Sequence, residues 1–165
     1  MKKGFTLIEL LVVIGIIGLL VAIAVPNFLA ARQRASDSKK KSEVQQLKNA
    51  LRMYYNDFNT YPARFTYFPG KVNYIQGCKT GGVEQCPCST SVDFATGAAC
   101  DNIYMKKFPS DLGTSMYYFL TTGGDDFCLT IALSNASDPD LAKSQSRCAS
   151  ACGANCGTKY CVCAD

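Results

Sequence analysis

The sequence predicts an α+β protein, a long N-terminal α-helix whose first half is an apolar stem and whose second half packs against a small antiparallel β-sheet head rich in cysteine. Three observations predict it. Residues Leu10 to Ala31 run for 22 positions without a charge. Apolar residues then recur at helical spacing as far as Pro62, and two alternating apolar segments near residue 125 flank a Gly-Gly turn.

At 165 residues the chain has room for one domain beyond its stem. The order expected is a short leader (1–4), the stem (5–31), an amphipathic helix (32–61) and the head (62–165). A head of this size buries little apolar surface, and such domains commonly need covalent staples. The ten cysteines all lie between Cys78 and Cys163 and suit that role. Their even number, behind a membrane or export segment, points to disulfides in an oxidising compartment. Sequence alone does not choose their pairing.

The net charge of +4 divides unevenly, with +5 on residues 1–41 and −1 on residues 42–165. A near-neutral head offers no clustered Lys and Arg to meet phosphates, so nucleic-acid binding is not inferred.

A 22-residue helix spans roughly 33 Å at ~1.5 Å per residue, enough to cross a bilayer. Lys2 and Lys3 precede it, which by the positive-inside tendency keeps the N-terminus cytoplasmic and sends the head outward. A cleaved secretory signal has a shorter apolar core followed by its cleavage site. Here the basic leader ends in Gly4 and the apolar run comes after it. Glu9 is the odd residue, because a carboxylate at the membrane centre costs about 2.5 to 3.5 kcal/mol on insertion scales. It reads either as a tolerated interfacial acid or as the neutralising partner of a positive group inside an assembly.

Lys3-Gly4-Phe5-Thr6-Leu7-Ile8-Glu9-Leu10, followed by the apolar run, resembles the class III signal of type IV prepilins and type II secretion pseudopilins. The resemblance implies that a prepilin peptidase cuts between Gly4 and Phe5 and methylates the new Phe5 terminus. It implies that Glu9 pairs with the terminal amine of a neighbouring subunit. Pro26 lacks an amide hydrogen and clashes with the preceding turn, so a bend or break is expected there. In pilins with a proline at this place the stretch equivalent to Gly18 to Pro26 can lose helix on assembly.

Val44, Leu47, Leu51, Tyr55 and Phe58 form one helical stripe, and Pro62 is expected to end the helix. Leu47 to Leu51 and Tyr61-Pro62 resemble the helix-to-loop junction of pilins and major pseudopilins. The aromatics Phe28, Tyr54, Tyr55, Phe58 and Tyr61 invite comparison with pili proposed to conduct electrons, but helix-on-sheet packing explains them. From Pro62 to about Pro109 the sequence reads as irregular. Strands are expected at Ser115 to Leu120 and Phe127 to Leu133, with Thr121 to Asp126 as their hairpin connection, and a short one at Tyr160 to Cys163. On the second strand Phe127, Leu129, Ile131 and Leu133 share the face that should meet the helix.

Cys78, Cys86, Cys88, Cys100, Cys128, Cys148, Cys152, Cys156, Cys161 and Cys163 are the disulfide candidates. Cys148, Cys152 and Cys156 stand at four-residue steps, which on a helix would also suit a metal-thiolate cluster. The disulfide reading is favoured outside the cytosol. No Cys-x-x-Cys pair occurs and histidine is absent, which removes the common zinc fingers and any Ser-His or Cys-His nucleophile, so no enzyme is inferred. Asp125, Asp126, Asp138 and Asp140 offer hard oxygens of the kind calcium prefers, and major pseudopilins hold calcium in a comparable loop. No spacing here matches an EF-hand, and acids at turns are usually solvated or capping. The basic stretch Arg32 to Lys41 reads as a solvated helix face or a contact between subunits.

The function expected is that of a structural pilin, in the inner membrane as a single-pass precursor and extracellular once assembled into a helical homopolymer. Its partners would be itself, the prepilin peptidase, an assembly platform protein and an ATPase. A type II secretion pseudopilin is the alternative, and a membrane-tethered redox or metal protein a second one. Cysteine richness leans toward the pilin.

Overall fold

The computed structural model describes residues 4, 6–62, 64–65, 74–78, 84–85, 94–96, 102–106, 109, 112 and 116–164. They divide into two compact units, Met1–Ser36 and Asp37–Asp165. Phe5 and the side chain of Cys78 fall outside the described residues, as do Cys86, Cys88 and Cys100.

The first helix, α1, is Leu7–Phe58 and supplies both units. In the first unit every described residue from 6 to 36 is exposed. The helix continues across Pro26, so the break considered there does not occur. Proline removes one amide from the hydrogen-bond ladder, and membrane helices tolerate this when side chains satisfy nearby carbonyls. Asn27 Nδ2 donates to the Ile23 carbonyl at 3.2 Å, next to the Ala22 carbonyl that Pro26 leaves without its amide donor.

In the second unit Val44, Leu47 and Leu51 are buried as the stripe predicts, joined by Ala50 and Tyr54. Tyr55 is half-buried and Phe58 exposed. Steps of four and three keep both on the same face, and Phe58 is exposed because it is the last residue of the helix, where its ring packs on Tyr54 with centroids 4.5 Å apart. The helix stops at Phe58, short of Pro62. Asn59 takes a left-handed φ of 53°, and its amide donates to the Tyr55 carbonyl at 2.7 Å. Asparagine is among the few non-glycine residues that adopt this C-terminal cap readily.

The main sheet has the order β6-β7-β8, all antiparallel, from Tyr117–Leu120, Phe127–Ile131 and Tyr160–Cys163. Leu120 pairs with Phe127 across the hairpin, and Cys128 pairs with Cys163 on the other side. The hairpin and the terminal strand are those the sequence predicts, except that β7 ends at Ile131, short of Leu133, and that Ser115 lies outside the described residues. β7 has both faces covered, since all five of its residues are buried. Phe127, Leu129 and Ile131 share a core with Val44, Leu47, Leu51, Tyr118 and Val162. Cys128 turns the opposite way and joins a second cluster with Cys148, Cys152, Cys156, Cys161 and Cys163. That cluster is carried by α2 (Asp140–Arg147), α3 (Ala149–Cys152) and a 3-10 turn (Gly153–Asn155), together with β7 and β8.

The stretch expected to be irregular holds short strands instead. β1 (Arg64–Phe65), β2 (Tyr74–Cys78) and β3 (Glu84–Gln85) form one small antiparallel sheet. β4 (Phe94–Thr96) and β5 (Asn102–Met105) form another. Strands of two to five residues are too short to display an alternating pattern. Ile75 and Phe94 nevertheless reach the main core, and Phe94 lies 6.0 Å from Tyr54 in a stacked pair.

The loop at residues 121–126 ties this head together. The Tyr61 amide donates to the Gly124 carbonyl at 2.9 Å. Asp126 Oδ1 accepts the Phe127 amide at 2.7 Å and the Ala164 amide at 2.8 Å. Arg52 holds the Ala164 carbonyl from α1, with Nη2 at 2.6 Å. Gly124 has a φ of +81°, and a Cβ there would collide with the Thr60 side chain. Gly124→Ala is therefore expected to destabilise the head by about 2 kcal/mol, counting left-handed strain of ~1–2 kcal/mol and the collision. Urea unfolding of the detergent-solubilised chain checks this, and an unchanged midpoint would contradict it.

Candidate assembly site

The candidate site is the start of α1. Thr6 and Glu9 close a reciprocal N-terminal cap. The Thr6 amide and hydroxyl both donate to Glu9 Oε2, at 2.9 and 2.6 Å, and the Glu9 amide returns to Thr6 Oγ1 at 3.4 Å. Thr-x-x-Glu before an apolar run is the sequence signature of this box. It satisfies amides that a helix start leaves orphaned and fixes the carboxylate against the positive end of the helix dipole. Both recorded bonds go to Oε2, and Glu9 stays exposed, so the carboxylate is held in one place with a face open to a cation.

Gly4 precedes the cap, and a Cβ added there meets nothing within 4 Å. The fold therefore places no demand for glycine at this position, and any demand comes from a partner. Gly18 and Pro26 both lie inside continuous helix, with open space around Gly18. The apolar run is long enough to cross a membrane, and none of its most apolar window is buried inside the chain. Leu7, Ile8, Leu19 and Phe28 are each at least 65 % exposed. Water would not tolerate such a surface, so lipid or other protein must cover it.

Among the described residues of the head, six cysteines form three disulfides. These are Cys128–Cys152, Cys148–Cys163 and Cys156–Cys161, with Cα separations of 5.0, 5.6 and 6.0 Å. Cys148 and Cys152 do share a helical step, but their sulfurs go to different strands. The thiolates that a metal would need are thus engaged in covalent bonds. Disulfides therefore stand where the four-residue steps also suited a metal cluster.

Three of the four aspartates have protein partners. Asp126 caps backbone amides as described, and Asp125 is exposed in the turn. Lys41 Nζ lies 3.0 Å from Asp138 Oδ2 and 2.7 Å from Asp140 Oδ2, so an ammonium supplies the positive charge that calcium would bring. The Asp140 amide also donates to Asp138 Oδ1 at 2.9 Å. Nearby, buried Asp37 accepts the amides of Ser134 and Asn135, each at 2.8 Å. Lys40 Nζ reaches the Ala132 carbonyl at 3.3 Å. The basic stretch thus ends in side chains that clamp residues 132–140, rather than in a purely solvated face. Sequence spacing carries no signal for these partners, which lie more than 90 positions away.

The model of the prokaryotic N-terminal methylation motif matches residues 1–25. Type II secretion system core protein G of Aeromonas hydrophila is 44% identical over 61 residues, covering 37% of this chain and 43% of that protein. The type IV wide pilus major component PilA4 of Thermus thermophilus is 49% identical over 59 residues, 36% and 45% of the two chains. The type IV major pilin protein PilA of Myxococcus xanthus is 41% identical over 60 residues, 36% and 27%. The chain spans less than half the length of these curated relatives. No solved structure matches it. The N-terminal motif and these relatives bear out the resemblance to the pilin and pseudopilin family, and both kinds of protein stand among them.

The Lys41 clamp gives the head a pH signature. Burial alone would raise the Asp138 pKa, but the Asp140 amide and the Lys41 ammonium outweigh it and hold the carboxyl below its ordinary value. Burial would likewise lower Lys41, yet Asp140 and Asp138 carry it above its ordinary value. A depressed carboxyl stabilises above its unfolded pKa of about 3.9 and loses that contribution as the pH falls further. A raised lysine stabilises below about 10.4 and loses it above. Lys41→Met should cost about 1 kcal/mol at neutral pH and flatten the acid limb of the stability profile. Denaturant melts between neutral pH and the carboxylate range check it, and parallel profiles for the two proteins would contradict it.

Proposed function

We propose that the chain is a structural pilin, made as an inner-membrane precursor with its N-terminus in the cytoplasm. A prepilin peptidase cuts it after Gly4 and methylates Phe5. An assembly ATPase and platform protein then add it to an extracellular homopolymer used in adhesion, motility or DNA uptake, whose core is bundled stems. The observation that carries this reading is an apolar stem exposed throughout residues 6–31, with one fixed carboxylate at its start. Moving that helix from lipid to a bundle of like helices exchanges one apolar surrounding for another, which makes assembly physically accessible. Glu9 would meet the Phe5 amine of the adjoining subunit. Such a pair stabilises a charge that an apolar bundle would otherwise reject.

A type II secretion pseudopilin is the second reading, supported by the similarity to core protein G. The three disulfides favour the pilin, because a fibre outside the cell gains more from covalent staples than a short periplasmic one.

Mass spectrometry of the protein from its native host tests the processing. The account expects a chain beginning at methylated Phe5, and precursor alone from Gly4→Val, with the head unfolding as in the wild type. An intact leader on polymerised protein would overturn it. Glu9→Ala should still be cleaved yet leave no surface fibres in electron micrographs; abundant fibres from this variant would refute the pairing. Expression beside each machinery separates the readings, since long surface fibres with the pilus apparatus alone favour the pilin.

A further inference from the structure

The pairing of Cys156 with Cys161 differs from the other two disulfides in its surroundings. The sulfurs of Cys152, Cys156 and Cys161 all lie within 4.8 Å of one another, so the Cys128–Cys152 bond has the sulfurs of a second disulfide beside it. The Lys159 carbonyl oxygen stands 3.4 Å from Cys161 Sγ and 3.7 Å from Cys156 Sγ. A carbonyl is an acceptor, and only a thiol at these places has a proton to offer it.

Thr130 makes a second, independent point. It is fully buried, and its hydroxyl has no hydrogen-bond partner among the described residues. It sits directly across the β7–β8 ladder from Cys161, where facing side chains are neighbours. An orphaned buried hydroxyl calls for an explanation, and a thiol or thiolate at Cys161 would provide its missing partner. Loop length points the same way. The Cys156–Cys161 bridge closes 5 residues, against 15 and 24 for the others, and the stabilisation a disulfide draws from loop closure grows with the loop. Cys156 also lies under an exposed turn, residues 153–155 and 157–158, through which a reductant can approach.

From this geometry we propose that Cys156, Cys161 and Cys152 form a thiol–disulfide exchange site that a dithiol can open. A dithiol thiolate attacks Cys156 Sγ, the 156–161 bond breaks, and Cys161 leaves as a thiolate in equilibrium with its thiol. The second thiol of the reagent displaces Cys156, so the reagent is oxidised to its disulfide and the chain gains two thiols. The Cys161 thiolate then attacks Cys152 Sγ, forming Cys152–Cys161 and expelling Cys128 as a thiol, a step that is redox-neutral. The head can thereby redistribute one bridge among four cysteines, independently of whether the chain builds a pilus or a secretion fibre.

The test treats the oxidised, detergent-solubilised full chain with one equivalent of dithiothreitol, traps thiols by alkylation and maps the peptides. Simple reduction of Cys128–Cys152 labels both cysteines equally, whereas exchange labels Cys128 severalfold more than Cys152. The account expects that asymmetry, with Cys148 and Cys163 unlabelled. Thr130→Val, which deletes only an unpaired hydroxyl, should leave the oxidised fold intact and make the Cys156–Cys161 bond severalfold harder to reduce. Equal labels on Cys128 and Cys152, label confined to Cys156 and Cys161, or prior opening of Cys148–Cys163 would each overturn the proposal. So would a Thr130→Val chain as reducible as the wild type.

Discussion

The constraint from which the rest follows is an apolar helix whose described residues stand exposed while a carboxylate is fixed at its start. Residues 6–36 are exposed throughout, and Thr6 holds Glu9 Oε2 by two bonds. A free surface of that kind is unstable in water, and lipid satisfies its apolar part without satisfying the acid. On the proposed reading, an assembly that brings both apolar neighbours and a cation meets the two demands together. The cap matters for this, because a carboxylate already oriented loses less rotamer entropy when a partner arrives.

The head solves a different problem, that of a small domain with a thin core. Its central strand is covered on one face by α1 and on the other by a layer of cysteines. Alternation along β8 makes this possible, since Tyr160 and Val162 enter the apolar core while Cys161 and Cys163 enter the covalent layer. Polar clamps then fix the edges. Asp37, Lys40 and Lys41 hold residues 132–140, and Arg52 with Asp126 holds the chain beside Ala164. Each joins α1 or the hairpin to a segment distant in sequence, so the helix serves as the scaffold on which the head is sewn.

Much of this was legible beforehand, and the reasons are specific. The 22-residue uncharged run and the Val44, Leu47, Leu51 stripe are periodic signals, and the Gly123-Gly124 turn demands positive φ. Such signals are local, so sequence carries them. The helix end was misplaced because Pro62 is a conspicuous breaker, whereas Asn59 acts through a left-handed cap that other residues also occupy. The Thr6-x-x-Glu9 box is a local signal of the same kind, a threonine three residues before a glutamate ahead of an apolar run. The clamps of Asp37 and Lys41 were not readable, since acids and lysines on a helix look solvated until the distant loop is in place. The short strands between Arg64 and Met105 likewise hold too few residues to declare a period.

The most direct test of the central claim is a helical reconstruction by electron cryo-microscopy of fibres sheared from the native host. The account predicts a core of stems in which residues 6–31 are buried against neighbouring copies, with the Glu9 carboxylate within about 4 Å of the adjoining subunit's terminal nitrogen. A core in which Glu9 faces solvent, or in which the stems do not touch, would contradict it.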